Sequence, residues 1–302
     1  MARALPFHHA QYSHVSTDIV IAASIESVSN HHRRAIAALL AVCVFAGCSQ
    51  EGSESPRRAA AATRDSLHTQ RTDGPVVIPL SATVYVGGDV PASGSVSGVV
   101  RLRSPIAPLA PMETGNDRIL CGPSMPDESV REKTGGLEGA VVWLDGVHRG
   151  KTLPLERRLE LEIDHCKLQP RIQATMLGSA VNIIGHDDNR SHLRFVAMGE
   201  PKPRAAVLMG GGEQVIPTEL PFTAPGLVYV SDADHAWSHA FIAVFDHPYY
   251  AVTSPAGAFV IDGVPPGVYT LRAWHERTGI VTQRVQVGAG GAVKVELALS
   301  GK

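Results

Sequence analysis

Residues 155–164 read LERRLELEID, and this stretch decides the fold. From residue 159 onward, a leucine or isoleucine alternates with an acidic residue at every step. Successive side chains of a β-strand point to opposite faces of the sheet, so the pattern predicts a strand with one buried and one solvated face. No helix of comparable length would keep these apolar side chains on one side.

Similar apolar runs recur on both sides of this stretch. The predicted strands are 76–86, 98–103, 139–145, 155–164, 172–184, 192–198, 227–231 and 239–244, then 259–261, 268–274 and two within 281–299 around a glycine turn at 288–291. Glycine and proline separate these runs at short intervals, and no segment shows a sustained helical period. The sequence therefore predicts an all-β protein built as a sandwich or barrel.

Composition and charge narrow the classes of function. The chain has 302 residues, of which 44% are hydrophobic and 19% charged, as in foldable globular chains. Its 27 Lys and Arg balance 29 Asp and Glu, so we expect no nucleic-acid partner. The glycines at 210–212 precede Glu213 rather than the lysine of a nucleotide-binding loop, and no catalytic motif is found. We expect the protein not to be an enzyme.

One segment near the start of the chain is uncharged and apolar. Residues 35–47 (AIAALLAVCVFAG) follow two arginines and are fewer than the ~20 residues that a membrane-spanning helix needs. The run fits the hydrophobic region of a secretory signal; a buried helix is the alternative, but such a helix should show a polar face.

The residues that end this run, Phe45, Ala46, Gly47 and Cys48, resemble the lipobox of bacterial lipoproteins. The resemblance implies that 1–47 is an N-terminal extension with a signal peptide and that Cys48 carries the lipid. Residues 48–75 are polar and without period, which predicts a flexible tether. Because Ser49 rather than Asp follows the cysteine, the resemblance implies an anchor in the outer membrane, facing the periplasm.

Two cysteines remain beyond the lipid attachment site. In an oxidising periplasm, Cys121 and Cys166 are expected to form a disulfide. The alternative is that Cys166, next to His165, serves as a metal thiolate.

Several histidines gather around two predicted turns. If His235 and His239 lie on extended chain, their spacing of four places both on one face of a strand, with Asp232 nearby. Imidazole and carboxylate together suit a borderline divalent metal.

The stretch 94–244 resembles the cupredoxin-like domain of periplasmic proteins of the methylamine-utilization and plastocyanin-like type. The matching positions are Cys166, Leu168, Pro170, Gly178, His192, Pro225, Gly226, His235 and Trp237. The resemblance implies a cupredoxin-like Greek-key β-sandwich at 76–245, with His192 and His235 as the copper-ligating histidines. However, Ser231 or Asp232 stands where the copper thiolate belongs, and Ser238 stands at the axial methionine.

A blue-copper site requires that thiolate, so the departure leaves two alternatives. Either the site has decayed, holds no cofactor and serves structure or partner binding, or His192, His235, His239 and Asp232 hold copper as a non-blue N/O site.

Residues 246–302 resemble the transthyretin-like, carboxypeptidase-regulatory module, a small β-sandwich. Phe259 and Ile261 alternate toward a core, and the Pro-Pro-Gly run at 265–267 forms a turn before the next strand. In that family the Trp-His-Glu run at 274–276 is a structural feature. A module this short is marginally stable alone, so we expect it to pack against the preceding domain.

Together these features predict a non-enzymatic cell-envelope lipoprotein that is attached to a membrane by its lipid and binds a protein or saccharide partner through loops of a degenerate cupredoxin-like domain. The alternative is a copper-binding metalloprotein involved in copper handling or electron transfer.

Overall fold

The computed structural model describes residues 84–218 and 222–301, all of which belong to the compact unit Thr63–Lys302. Within this part, the only helical segment is a 3-10 helix at Gly115–Asp117 followed by one α-helical turn at Arg118–Cys121. The first strands are β1 Val86–Gly87, β2 Gly94–Leu102, β3 Met112–Glu113, β4 Ser124–Met125, β5 Glu132–Lys133, β6 Gly136–Leu137, β7 Val141–Asp145, β8 Arg149–Gly150, β9 Arg158–Asp164, β10 Lys167–Gln169 and β11 Ile172–Met176. The remaining strands are β12 Ala180–Gly185, β13 Ser191–Ala197, β14 Ala205–Met209, β15 Gln214–Thr218, β16 Gly226–Asp232, β17 His239–Phe245, β18 Tyr250–Val252, β19 Ala258–Val264, β20 Gly267–His275, β21 Gly279–Val287 and β22 Ala292–Leu299. The prediction of an all-β protein is confirmed.

The middle of the chain folds into one sandwich, here called the inserted sandwich. Its two sheets have the strand orders β10-β9-β12-β15 and β11-β17-β16-β13-β14. Leu161 and Ile163 of the stretch that decides the fold lie in the core between these sheets, opposite Val230 and Ile242. The predicted alternation therefore holds from the start of β9, whereas Leu155 is exposed.

A second sandwich, here called the flanking sandwich, is built from strands on both sides of the inserted one. Its sheets have the orders β18-β7-β20-β21 and β19-β2-β6-β5, and β22 pairs with β2 in parallel. Strands β2 and β7 therefore pair with strands from the last quarter of the chain. This pairing crosses the expected boundary between residues 245 and 246.

The two sandwiches pack face to face through a third apolar layer. Strands β7 and β17 each bury both faces, which explains why both read as nearly unbroken apolar runs. Trp143 of β7 lies 5.7 Å from Phe245 of β17 between ring centroids, and Trp274 of β20 meets Phe241 at 5.4 Å. Large aromatic side chains such as these supply much of the energy of a buried interface.

Most predicted strands correspond to observed ones. Of the expected strand at 76–86, the structure describes residues 84–86, and of these only Val86 lies in a strand. The expected strand at 172–184 is two strands, since Gly178 takes a positive φ of 75° and turns the chain from β11 into β12. The sequence patterns did not predict the edge strands β14 and β15, although Ala205–Met209 is entirely apolar. They also did not predict β3, β4, β5, β6, β8, β10 and β18, because strands of two or three residues are too short to show alternation.

The predicted signal segment 1–47, the lipid site Cys48 and the tether 48–75 lie outside the described residues. Among the residues that the structure describes, no helix has the length and apolar character needed to cross a membrane.

Candidate functional site

A buried pair of Asp232 and His235 occupies one end of the inserted sandwich. Asp232 ends β16 on the same face as the core residue Val230, and His235 lies in the loop 233–238 that joins β16 to β17. The Nδ1 atom of His235 lies 2.7 Å from Oδ2 of Asp232, and both residues are less than 5% exposed, at 3% and 4%.

The surroundings of this pair favour its charged form. Burial alone would raise the pKa of Asp232, but hydrogen bonds from His235 and from the backbone N–H groups of His192 and Asp234 lower it overall. The hydrogen bond to Asp232 raises the pKa of His235 against the effect of burial, and Asp117 and Asp234 add to the increase. Below the raised pKa of His235, the pair is therefore an imidazolium bound to a carboxylate.

The second ring nitrogen of His235 faces a polar residue and a carboxylate. Its Nε2 lies 3.0 Å from Nδ2 of Asn189 and 3.5 Å from Oδ2 of Asp117. Asn189 can donate to a neutral His235 through Nδ2; a half-turn of its amide presents Oδ1, otherwise without a partner, to the N–H of the imidazolium. The contact can thus follow the protonation state of the ring.

The structure does not bring the other two predicted metal ligands to this pair. Leu193 points into the core, so strand alternation places the ring of its neighbour His192 on the opposite face of β13. His239 begins β17, where its ring packs 5.5 Å from that of Tyr229 on the face away from His235. The loop 233–238 reverses the chain between His235 and His239, so they do not share an extended face.

In residues 84–218 and 222–301, no group of three or more His, Cys, Asp or Glu is placed to hold a metal ion.

The predicted disulfide between Cys121 and Cys166 is confirmed, with Cα atoms 5.7 Å apart. Cys166 is therefore not a free thiolate, and the alternative of a metal ligand at this position is wrong. His165 and Cys166 form the turn between β9 and β10 with positive φ angles of 50° and 60°, which non-glycine residues adopt only at a cost. Asp187 accepts hydrogen bonds from both backbone N–H groups and so stabilises this turn.

The disulfide also anchors residues 103–131, a segment between β2 and β5 that we call the strap. On the inserted sandwich, Glu128 of the strap accepts a 2.6 Å contact from Lys167. On the flanking sandwich, Asp127 accepts a 2.9 Å hydrogen bond from Arg277. Burial opposes ionisation of Asp127, but hydrogen bonds from the backbone of Leu109, from Ser129 and from Arg277 lower its pKa to about 2. The strap is thus fixed to both sandwiches.

A cleft of about 580 Å³ lies between the two sandwiches and the strap. Its principal lining residues are Pro126, Glu128, Ser129, Arg131, Glu138, Lys167, Leu168, Pro170, Arg171, Ile172, Trp237, His239, Val252, Thr253, His275 and Glu276. Pockets of this size that combine apolar walls with a few converging polar groups are typical ligand sites.

A bidentate ion pair crosses the cleft. Arg171, between β10 and β11, donates from Nε to Oε1 of Glu276 at 2.6 Å and from Nη2 to Oε2 at 2.9 Å. Burial would raise the pKa of Glu276, yet hydrogen bonds with His239 and Arg171 hold it below the usual range. The Arg171 guanidinium also contacts Nε2 of His239, and this nitrogen lies 3.7 Å from Oε2 of Glu276.

Sequence reasoning did not identify Arg171 and Glu276 as site residues. Glu276 was assigned a structural role within the Trp-His-Glu run, and Arg171 follows Pro170 without any recognised motif. The two are 105 positions apart, so only the packing of the two sandwiches brings them together.

Comparisons with known proteins add little to this geometry. A scan against protein-family models and a search of curated proteins both give no match. Among solved structures, the Cu-containing nitrite reductase of Thermus scotoductus SA-01 is 18% identical over 32% of this chain, with a TM-score of 0.25, and only 23% of that enzyme is covered. A purple cupredoxin of Nitrosopumilus maritimus is 9% identical, and the match covers 28% of this chain and 98% of the cupredoxin with a TM-score of 0.23. Auracyanin of Roseiflexus castenholzii is 15% identical, and the match covers 30% of this chain and 98% of auracyanin with a TM-score of 0.24.

TM-scores below 0.5 carry no argument about the function or copper content of this chain. The structure itself establishes an all-β chain of stacked sandwiches.

Proposed function

We propose that this protein is a non-enzymatic, lipid-anchored binding module of the bacterial cell envelope, with a cupredoxin-like domain that has lost its copper site. The observation that carries the proposal is the cleft between the two sandwiches, with the Arg171–Glu276 ion pair fixed across it. Both sandwiches and the strap contribute walls, so the whole body positions the site.

The donor atoms at the copper position of the resemblance do not fit blue copper. Ser231 or Asp232 stands where the thiolate is required, and the cysteines of the described residues, Cys121 and Cys166, are held in the disulfide. The Nδ1 atom of His235 is already bonded to Asp232, and the ring of His192 lies on the other face of its strand. We therefore assign no step to copper.

The ion pair in the cleft supports binding rather than acid–base catalysis. A general acid or base needs a pKa near the working pH, whereas Glu276 is held in its ionised form with both oxygens bonded to Arg171. A fixed pair of this kind presents donors and acceptors in one geometry, which suits recognition.

The anchor is proposed on the resemblance of residues 45–48 to a lipobox. Attachment through Cys48 with a tether of about 27 residues would let the body stand roughly 25–30 Å from the headgroups. Cys48→Ser should move the protein from the outer-membrane fraction to the soluble periplasmic fraction; retention of the variant in the membrane would contradict the anchor.

Binding in the cleft is tested with an uncharged double variant. Arg171→Gln with Glu276→Gln removes both charges together, so no buried charge is left unpaired, and keeps an amide at each position. The control is Arg204→Gln with Glu200→Gln, which removes an exposed bidentate pair outside the cleft. Small neutral and charged polar compounds are screened for a rise in melting temperature. We expect rises that the first variant loses and the control keeps; equal rises in both variants would contradict a site in the cleft.

A further inference from the structure

We propose that the cleft accepts a neutral, hydroxyl-rich ligand, namely an uncharged oligosaccharide. This inference rests on the proposed binding function and names its ligand class.

The first observation is the balance of charge on the cleft walls. The cationic side chains of Arg and Lys and the carboxylates that line it pair one to one: Arg171 with Glu276 at 2.6 Å, Lys167 with Glu128 at 2.6 Å and Arg131 with Glu138 at 3.4 Å. An ionic ligand would have to break the largely buried Arg171–Glu276 pair or leave its own charge beside it without a partner, and both are costly away from water. The walls therefore favour a ligand without net charge.

The second observation is that His275, a buried residue of the cleft, adds no compensating charge. Burial lowers the pKa of His275 to about 4, so this 1% exposed ring is neutral at neutral pH. The ring remains polar, so it offers hydrogen bonding without charge.

The third observation concerns the free edge of β10, which lines the cleft. An extended peptide would bind by pairing with such an edge. Here the Oγ of Ser238 accepts the N–H of Leu168 at 3.1 Å, and Nε1 of Trp237 donates to the carbonyl oxygen of Cys166 at 2.9 Å. These contacts already occupy the N–H of Leu168 and the carbonyl oxygen of Cys166, so little of this edge is left for pairing with a peptide strand.

The fourth observation is the flat ring of Trp237, which lines the cleft and is half-buried. The hydrogen bond from its indole nitrogen fixes the orientation of the ring. Aromatic rings pack against the C–H faces of sugars, while planar groups such as the Arg171–Glu276 pair donate to and accept from adjacent hydroxyls. The remaining walls include the apolar side chains of Leu168, Ile172 and Val252.

The test uses the lipidated full chain in a detergent without a sugar headgroup, and three probe classes: neutral cello-, malto- and chito-oligosaccharides, oligogalacturonate, and a neutral tetrapeptide. Binding is followed by tryptophan fluorescence, because Trp143 and Trp274 are buried and Trp237 is the ring at the site. We expect one neutral oligosaccharide to give a saturable change. The signal change should be lost in Trp237→Phe, and calorimetry should show affinity at least about tenfold weaker in Arg171→Gln with Glu276→Gln. Arg204→Gln with Glu200→Gln should bind like the unaltered protein.

The outcomes separate this inference from the proposed function. Saturable binding of oligogalacturonate or the tetrapeptide alone, with the same dependence on Arg171 and Glu276, would overturn the neutral saccharide and leave a binding cleft. Equal binding of a neutral oligosaccharide by both double variants would place it elsewhere and overturn the inference. Binding of none of the three classes by a protein with intact β-sheet circular dichroism would contradict the inference and the proposed function together.

Discussion

At the scale of single residues, the pairing of Asp232 with His235 shows what a carboxylate does at one of the two positions where the cupredoxin resemblance places a thiolate. The carboxylate accepts two backbone N–H groups as well as the ring of His235, and so fixes the loop 233–238. Both side chains are buried, so the contribution of the pair depends on both charges being present.

The pH dependence of this contribution follows from the two pKa shifts. The pKa of His235 is raised. The stabilisation that His235 contributes is therefore fully present below the unfolded pKa of about 6.5 and is lost as pH rises through the higher folded pKa. The pKa of Asp232 is lowered. The stabilisation that Asp232 contributes is therefore present above the unfolded pKa of about 3.9 and is lost as pH falls through the lower folded pKa. The pair stabilises most between these limits.

Asp232→Asn should therefore lower the free energy of unfolding by about 3 kcal/mol near pH 6, because it leaves a buried imidazolium without its counter-ion. The loss should shrink as pH rises through the folded pKa of His235. Urea denaturation between pH 5 and 9 measures this. Asp188→Asn, at an exposed position, is the control and should change stability by less than about 0.5 kcal/mol. A loss independent of pH would contradict the ion pair.

The sequence indicated Asp232 and His235 correctly as neighbours, because only two residues separate them in the chain. The sequence could not show on which face of a strand His192 and His239 lie, because that face depends on where the chain turns. One residue of register moves a side chain to the opposite face of a sheet. Here the chain turns within 233–238, so His235 and His239 do not lie on one extended strand and do not share a face.

At the scale of elements, the disulfide is the strongest restraint on the strap. Cys121 and Cys166 are 45 positions apart, and closing a loop of that length stabilises by about 3–4 kcal/mol on the chain-entropy estimate. Cys121→Ser with Cys166→Ser should lower the free energy of unfolding by that amount and speed amide exchange in residues 112–125. A loss below about 1 kcal/mol with unchanged exchange would show that the strap holds without it.

A buried threonine joins two elements of the flanking sandwich. The Oγ1 of Thr253 accepts the N–H of Ala140 at 2.8 Å and donates to the carbonyl oxygen of Leu137 at 2.6 Å. Thr253→Val keeps the shape but leaves both backbone groups without this partner, so we expect a loss of about 1–3 kcal/mol in calorimetric stability. Thr282→Val, at a partly exposed position on β21, is the matched control; an equal loss there would rule out the bridging role.

Strand patterns predicted the element types but not the partners of each strand. Alternation along a strand shows which face is buried, yet it does not say which strand lies alongside. The sequences of β2 and β7 therefore did not indicate that these strands pair with β19, β20 and β22. For the same reason the cleft was not predicted, since its ion pair depends on pairing between distant segments.

At the scale of the whole molecule, this pairing predicts that residues 246–302 cannot fold alone. Without β2 and β7, the strands β19, β20 and β22 lose the neighbours that cover their backbone and core. The isolated fragment should show circular dichroism of an unfolded chain and no melting transition, whereas residues 84–302 should unfold in one cooperative transition. A cooperative transition in the fragment would contradict the shared sandwich.

We propose that function resides in the cleft and not in a copper centre at Asp232 and His235. The most direct test is titration of residues 49–302, which exclude the histidines before Cys48, with Cu(II) while spin resonance is recorded. We expect no stoichiometric uptake at micromolar copper and no change on His235→Ala. One equivalent of nitrogen-coupled copper that disappears on His192→Ala or His235→Ala would contradict it.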